Sequence, residues 1–178
     1  IEMRGLRFHY RDWAGPRADA PVLICLHGYT GHARTWDHFA AGMASHFRVL
    51  CLDQRGHGES GWDPEARYGT LEMVADLEAF VDALALERHA LLGLSMGGIV
   101  SFAYAGMRPK ALTRLVVVDV APDIAPGGLA RINEGVRRTD VFDSREAAFA
   151  RAREDNPVAP DAHLRARVDA SLMRTEAG

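Results

Sequence analysis

Four short apolar runs, separated by segments long enough for helices, constrain the fold of this 178-residue chain more than any other feature. A strand whose residues are all apolar is typical of a sheet that is buried on both faces. Between the second and third runs, apolar residues recur at three- and four-residue steps over residues 71–84, which predicts a helix with one buried face. This alternation predicts an α/β fold with a mostly parallel, doubly wound sheet. The predicted buried strands are residues 21–26, 48–52, 89–94 and 115–120.

Other segments complete the predicted core. Residues 6–13 alternate between apolar and polar and predict an edge strand, whereas residues 33–46 and 99–107 predict helices. The second of these helices should end before Pro109. We therefore expect a core domain over residues 1–122.

The sequence changes character after residue 122. Residues 126–128 (PGG) indicate a linker, and the stretch that follows is rich in arginine and alanine with helical spacing. Asp143 followed by Glu146 predicts a capping box that opens a helix, and another helix should begin near Asp161. We expect residues 123–178 to be the start of a helical insertion.

Composition excludes several classes of protein. Hydrophobic residues make up 48% and charged residues 25% of the chain, as in globular proteins, and the net charge is −3. Basic residues never form a run longer than a pair, so no nucleic-acid partner is expected. No apolar stretch approaches the roughly 20 residues that span a bilayer, so no membrane association is expected.

The cysteines and the first residue bear on localisation. Cys25 and Cys51 lie in apolar runs and are expected to be buried free thiols, since two cysteines do not make a disulfide framework. They fit a reducing compartment, so we expect a cytoplasmic protein. The chain opens with Ile1 rather than Met, which leaves open a preceding signal peptide.

The motif Gly93-Leu94-Ser95-Met96-Gly97 stands where the third apolar run passes into a predicted helix. A sharp strand-to-helix turn strains the serine backbone, and glycines two residues away on either side prevent collisions. Such a turn exposes the serine hydroxyl beside the free N–H groups of the helix that begins at Met96. The motif predicts Ser95 as a nucleophile and the Met96 N–H as an oxyanion donor. The alternative is that the glycines only ease helix–strand packing.

Two further loops follow buried strands. Acyl transfer needs a second backbone donor for the oxyanion, and the Tyr29 N–H in Leu26-His27-Gly28-Tyr29 is the best candidate. His27 is interpreted as a residue that braces this loop through hydrogen bonds to nearby backbone. In residues 53–60 (DQRGHGES), Arg55 is expected to hold the turn, and no metal-ligand spacing surrounds His57.

With these three motifs in this order, the chain resembles the α/β-hydrolase superfamily, in the branch with a helical cap domain. It is similar to esterases, lactonases and carbon–carbon hydrolases. Epoxide hydrolases and dehalogenases use an aspartate as the nucleophile, and Ser95 argues against both. The resemblance implies a triad in the order serine, acid, histidine, with the histidine after the last strand.

The resemblance also implies that part of the machinery is missing. The chain ends within what resembles the cap, so we predict that the final strands and the catalytic histidine are absent. His163 falls in a predicted cap helix. Asp119, at the end of the fourth apolar run, is either the triad acid or a structural residue that accepts backbone hydrogen bonds.

The sequence therefore predicts a hydrolase of small carboxylic esters, lactones or related carbonyl compounds, acting through an acyl-enzyme. Its partner would be a small-molecule substrate, no cofactor or metal is implied, and the oligomeric state is left open. Tyr29 is expected to line the pocket, and Trp36 to lie either there or in the core. The alternatives are a carbon–carbon bond hydrolase using the same site and a non-catalytic protein that binds a ligand in the cap pocket.

Overall fold

A five-stranded sheet organises the first of two structural units, which spans Ile1–Ala125. The computed structural model describes residues 1–107, 110–121 and 141–173. The strands of this unit are β1 (Glu2–Met3), β2 (Leu6–Arg7), β3 (Tyr10–Trp13), β4 (Val22–Leu26), β5 (Arg48–Leu52), β6 (His89–Leu94) and β7 (Leu112–Val118). The sheet has the order β3-β5-β4-β6-β7, and only β3, at one edge, is antiparallel to its neighbour. The predicted mostly parallel sheet is confirmed.

Three predicted strands have different bounds in the structure, and the smallest difference is at β4, which begins at Val22 rather than at residue 21. The predicted edge strand over residues 6–13 is divided, because Leu6–Arg7 pairs with Glu2–Met3 in a separate hairpin and only Tyr10–Trp13 joins the main sheet. The predicted strand over residues 115–120 begins three residues earlier and ends at Val118. It ends there because Asp119 has a left-handed backbone (φ 58°), which an extended strand does not accommodate.

The helices of this unit pack on both faces of the sheet. The predicted helix over residues 33–46 is a 3-10 turn, Ala33–Trp36, followed by α1 (Asp37–Met43). The other two helices are α2 (Thr70–Ala83) and α3 (Met96–Met107), and Pro109 lies outside the described residues. In the part of the chain that the structure describes, no helix is long and apolar enough to cross a membrane.

The core has two layers because side chains alternate across each buried strand. One set of strand residues packs against α2 and α3 and includes Ile24, Leu26, Leu50, Leu52 and Leu91. The other set packs around the 3-10 turn and α1 and includes Leu23, Cys25, Val49, Cys51 and Leu92.

Two cysteines, a tryptophan and a histidine lie inside this core. Cys25 and Cys51 are buried free thiols on neighbouring strands, as predicted. Trp36 belongs to the core layer around α1, so of its two expected positions the structure selects the core. The ring of His89 is also buried, beside that of Tyr104 with centroids 5.6 Å apart.

The second unit, Pro126–Gly178, contains two described helices. They are α4 (Arg145–Asp155) and α5 (Asp161–Ser171). They are antiparallel, because the start of α4 is ion-paired with the end of α5 (Arg145–Asp169, 2.5 Å) and its end with the start of α5 (Arg153–Asp161).

The start of α4 corrects one prediction. Ser144, not Asp143, is the N-cap residue, and its hydroxyl accepts the Ala147 N–H at 3.1 Å. Ser144 takes this role because its backbone is extended (φ −157°) and its oxygen reaches the third N–H of the helix. The predicted linker, residues 126–128, lies outside the described residues.

Candidate functional site

The carboxyl ends of the four parallel strands lie level along one edge of the sheet. Leu26 of β4 is aligned with both Leu52 of β5 and Gly93 of β6, and Leu94 is aligned with Val118 of β7. In open α/β sheets, ligands bind at this edge. The residues that follow the four strands are His27, Asp53, Ser95 and Asp119.

Ser95 lies in the tight turn between β6 and α3. Its backbone is left-handed (φ 50°), which costs a non-glycine residue about 1–2 kcal/mol. The Ser95 N–H donates to the Val118 carbonyl at 2.8 Å, and its carbonyl accepts the Ile99 N–H at 3.0 Å. These two bonds hold the strained conformation, and the predicted strain at this residue is confirmed. Its side chain is half-buried, and among the described residues its hydroxyl has no hydrogen-bond partner.

The glycines of the turn allow close contact between segments. A Cβ atom on Gly93 would collide with the Gly97 carbonyl oxygen and with Ser101 Oγ. A Cβ atom on Gly97 would collide with the carbonyl oxygens of Leu26 and His27 at the end of β4. The prediction that both positions require glycine is confirmed, and the glycines do serve helix–strand packing.

We expect Gly97→Ala to lower the free energy of unfolding by about 1–3 kcal/mol, because the new methyl group overpacks against rigid backbone. Gly106, in the same helix, is the matched control, since its Cβ would meet nothing within 4 Å. Gly106→Ala should be neutral or stabilising by up to about 1 kcal/mol, as expected from helix propensity. Urea denaturation of both variants measures the difference, and equal effects would contradict this account of the turn.

The loop after β4 lies directly against Ser95. A Cβ atom built on Gly28 would be 3.4 Å from Ser95 Cβ. Tyr29 follows in this loop with a side chain that is 49% exposed, and Met96 is the first residue of α3. Asp119 is level with Ser95, since each directly follows one member of the aligned pair Leu94 and Val118. The structure thus brings the four predicted site residues, Ser95, Tyr29, Met96 and Asp119, to one edge.

Three histidines near this edge of the sheet have a ring nitrogen bonded elsewhere. His9 Nδ1 bonds to the Asp53 carboxylate, His27 Nδ1 to the Gly28 carbonyl and His57 Nδ1 to the Arg55 carbonyl. His163 lies on α5, in the second unit.

His27 is fully buried, and both of its ring nitrogens are hydrogen-bonded. Nδ1 lies 2.8 Å from the Gly28 carbonyl oxygen, and Nε2 accepts the Gln54 N–H at 3.1 Å. Because a carbonyl only accepts and an amide N–H only donates, the ring is neutral and carries its proton on Nδ1. Burial is the main cause that lowers the pKa of His27 to about 4. The prediction that His27 braces the loop is confirmed.

The buried ring of His27 should make stability depend on pH. In the unfolded chain its pKa is 6.5 and in the folded protein about 4, so below pH 6.5 the unfolded state binds the proton first. The free energy of unfolding should therefore fall by about 3 kcal/mol between pH 7 and pH 4 on account of this residue. Urea denaturation across this range should show a smaller loss in His27→Gln, which cannot titrate. Parallel pH profiles for the two proteins would contradict the assignment.

Asp53 connects three segments, a role that the sequence did not predict. Its buried carboxylate accepts the Ala33 N–H at 2.5 Å, His9 Nδ1–H at 2.6 Å and the Glu59 N–H at 3.1 Å. It thereby joins the 3-10 turn Ala33–Trp36, the loop after β5 and the segment that precedes β3. The only available signal was an acidic residue at the end of a buried strand, and its partners are remote in sequence.

The loop after β5 is held by Arg55, as predicted. The buried guanidinium binds Asp76 through Nε (2.5 Å) and Nη2 (2.7 Å), and Asp63 through Nη1 (2.9 Å). His57 Nδ1 donates to the Arg55 carbonyl at 2.9 Å, and the His57 ring lies 6.1 Å from that of Tyr29. Across residues 1–107, 110–121 and 141–173, no group of His, Cys, Asp or Glu is arranged to hold a metal ion.

Known proteins share this architecture. The family model of the alpha/beta hydrolase fold matches residues 21–173. The chain is 34% identical to 3-hydroxybutyrate-oligomer hydrolase of Cupriavidus necator over 127 residues, 71% of this chain and 43% of that protein. It is 37% identical to N-formylmaleamate deformylase of Pseudomonas putida over 127 residues, 71% of this chain and 46% of that protein.

A solved structure is similar over nearly the whole chain. It is an alpha/beta hydrolase from Novosphingobium aromaticivorans, with a TM-score of 0.88 and 28% identity, and the match covers 98% of this chain and 62% of that one. This chain spans less than half the length of the two curated relatives. The sheet order, the strained serine turn and the family match together show that the chain belongs to the α/β-hydrolase fold family.

Proposed function

We propose that the protein is a serine hydrolase that cleaves a small carboxylic ester, lactone or related carbonyl compound, with Ser95 as the nucleophile. The left-handed backbone of Ser95, held beside Gly28 at the carboxyl edge of the sheet, is the observation that carries this proposal. Two relatives are named as a hydrolase and a deformylase, which supports a hydrolytic reaction.

In this reaction Ser95 Oγ attacks the substrate carbonyl carbon and loses its proton to a general base. The carbonyl oxygen of the substrate becomes an oxyanion that accepts hydrogen bonds from the Tyr29 and Met96 N–H groups. The alcohol or other leaving group departs with a proton, and water then releases the acyl group from Ser95. We propose that the base is a histidine, as the order serine, acid, histidine of this fold family implies, and that Asp119, level with Ser95, is the candidate acid.

The second unit has a part in this proposal. We propose that residues 123–178 begin a helical cap domain, since the two described helices of this unit, α4 and α5, form an antiparallel pair.

A fluorophosphonate probe tests the nucleophile directly, because it reacts with activated serine hydroxyls. In the full-length natural protein, mass spectrometry of the digested adduct should find the probe on Ser95. Ser95→Ala should abolish labelling, whereas Ser45→Ala, which removes an exposed hydroxyl, should not. Labelling of any other serine with Ser95 unmodified would exclude the proposed function.

A further inference from the structure

We propose that His27 is a positioning residue that aims the Tyr29 N–H at the oxyanion by fixing the peptide unit between Gly28 and Tyr29. The proposal rests on the proposed function, since it assigns a role within the same site. His27 touches neither the substrate nor the reacting atoms in this role. It acts through the carbonyl of Gly28.

The Gly28 carbonyl is held by two donors. His27 Nδ1–H donates to it at 2.8 Å and the Gly31 N–H at 3.0 Å. A peptide unit is planar and trans, so the N–H of Tyr29 points opposite to the C=O of Gly28. Two donors that fix the direction of the carbonyl therefore fix the direction of the N–H, in a loop that lies against Ser95.

The ring that makes this contact is itself immobilised. Its Nε2 accepts the Gln54 N–H at 3.1 Å, while Gln54 Nε2–H donates to the His27 carbonyl at 2.8 Å. This reciprocal pair ties the loop after β4 to the loop after β5. Because Nε2 faces a donor, the proton stays on Nδ1, where it serves the Gly28 carbonyl. Gly97 packs against the same His27 carbonyl from the side of α3.

Two amide variants separate positioning from general bracing. In His27→Asn the side-chain NH₂ is bonded directly to Cγ, as Nδ1 is in histidine. This variant therefore retains a donor for the Gly28 carbonyl. In His27→Gln the amide oxygen is two bonds beyond Cγ, as Nε2 is in histidine. This variant therefore retains an acceptor for the Gln54 N–H but no donor for the Gly28 carbonyl. Each variant loses one of the two ring hydrogen bonds, so a purely structural role predicts similar effects.

The measurement is hydrolysis of p-nitrophenyl acetate by the full-length natural protein. We expect His27→Gln to lower kcat about 100-fold with KM changed less than about threefold, because a misplaced oxyanion donor affects the transition state and not the ground state. His27→Asn should stay within about fivefold of the wild type, since the donor to Gly28 is kept. A trifluoromethyl ketone, which forms an oxyanion adduct with serine, should bind His27→Gln more weakly by the same factor as the loss in kcat/KM.

Equal losses of kcat in the two variants, or a His27→Gln enzyme within fivefold of the wild type, would overturn the proposal. Ser95→Ala separates this result from the proposed function: if that variant keeps its turnover, the hydrolase proposal fails, whatever the His27 variants do.

An NMR spectrum of the unmodified protein tests the positioning role of His27 if the variants do not fold. Long-range ¹H–¹⁵N correlation at pH 7 and pH 5 should show His27 with its proton on Nδ1 and none on Nε2. A proton on Nε2 would remove the donor to Gly28 and refute the positioning role without any substitution.

Discussion

Replacing Ser95, the proposed nucleophile, by alanine in the full-length natural protein is expected to lower kcat about a million-fold, as removal of the nucleophile does in a well-studied serine protease. Without Oγ no acyl-enzyme forms, and the oxyanion donors alone supply only a small part of the acceleration. The free energy of unfolding should change little, because no described residue hydrogen-bonds to this hydroxyl and alanine meets the same backbone strain. Steady-state kinetics with p-nitrophenyl acetate and urea denaturation measure the two quantities.

Ser45→Ala is the control for this experiment. The Ser45 hydroxyl is exposed and donates to the Gly42 carbonyl at 3.3 Å, and Ser45 is remote from Ser95 in the sequence. Wild-type kinetics are expected for it. Near-normal turnover in Ser95→Ala would end the hydrolase proposal, and a large loss of stability would contradict the expectation that the Ser95 hydroxyl has no structural role.

Replacing Arg55 by leucine is expected to lower the free energy of unfolding by about 3–5 kcal/mol, the usual cost of removing one partner from a buried ion pair. The Arg55 side chain is only 2% exposed, and it neutralises the buried carboxylates of Asp63 and Asp76. Leucine would leave Asp63 paired only with Arg67 (3.0 Å) and Asp76 only with Arg4 (2.7 Å), and both of these arginines have partly exposed side chains. Equilibrium denaturation in urea measures the change.

Arg151 provides a matched control, because it forms an exposed ion pair with Asp155 at 3.3 Å in α4. Arg151→Leu removes the same type of side chain, and exposed pairs of this kind contribute about 0.2–1 kcal/mol. A loss for Arg55→Leu no larger than that for Arg151→Leu would mean that Asp63 and Asp76 are solvated or compensated by other groups.

Local features of the chain were predictable from the sequence. The strands Arg48–Leu52 and His89–Leu94 have the predicted bounds, because each is an apolar run that only a buried strand accommodates. The strained turn at Ser95 and the need for Gly93 follow from the sterics of a strand that passes directly into a helix, and they depend on neighbours within a few residues. The need for Gly97 also depends on the carbonyl oxygens of Leu26 and His27 at the end of the neighbouring strand, which only the tertiary structure brings close.

Hydrogen-bond partners that lie on different strands or loops could not be predicted from the sequence. Asp53 and His9 are 44 residues apart, and His27 and Gln54 are 27 apart, so no local pattern could pair them. The burial of His89 and the division of residues 6–13 between the hairpin and the main sheet also depend on which segments meet in space.

The sequence by itself determined the sheet type, the serine turn and the family, since apolar periodicity and glycine sterics act over short distances. Only the tertiary structure decided the tautomer of His27, the partners of Asp53 and the level position of Asp119 beside Ser95. Those depend on strand register and on which donors reach a buried acceptor once four loops converge at one edge.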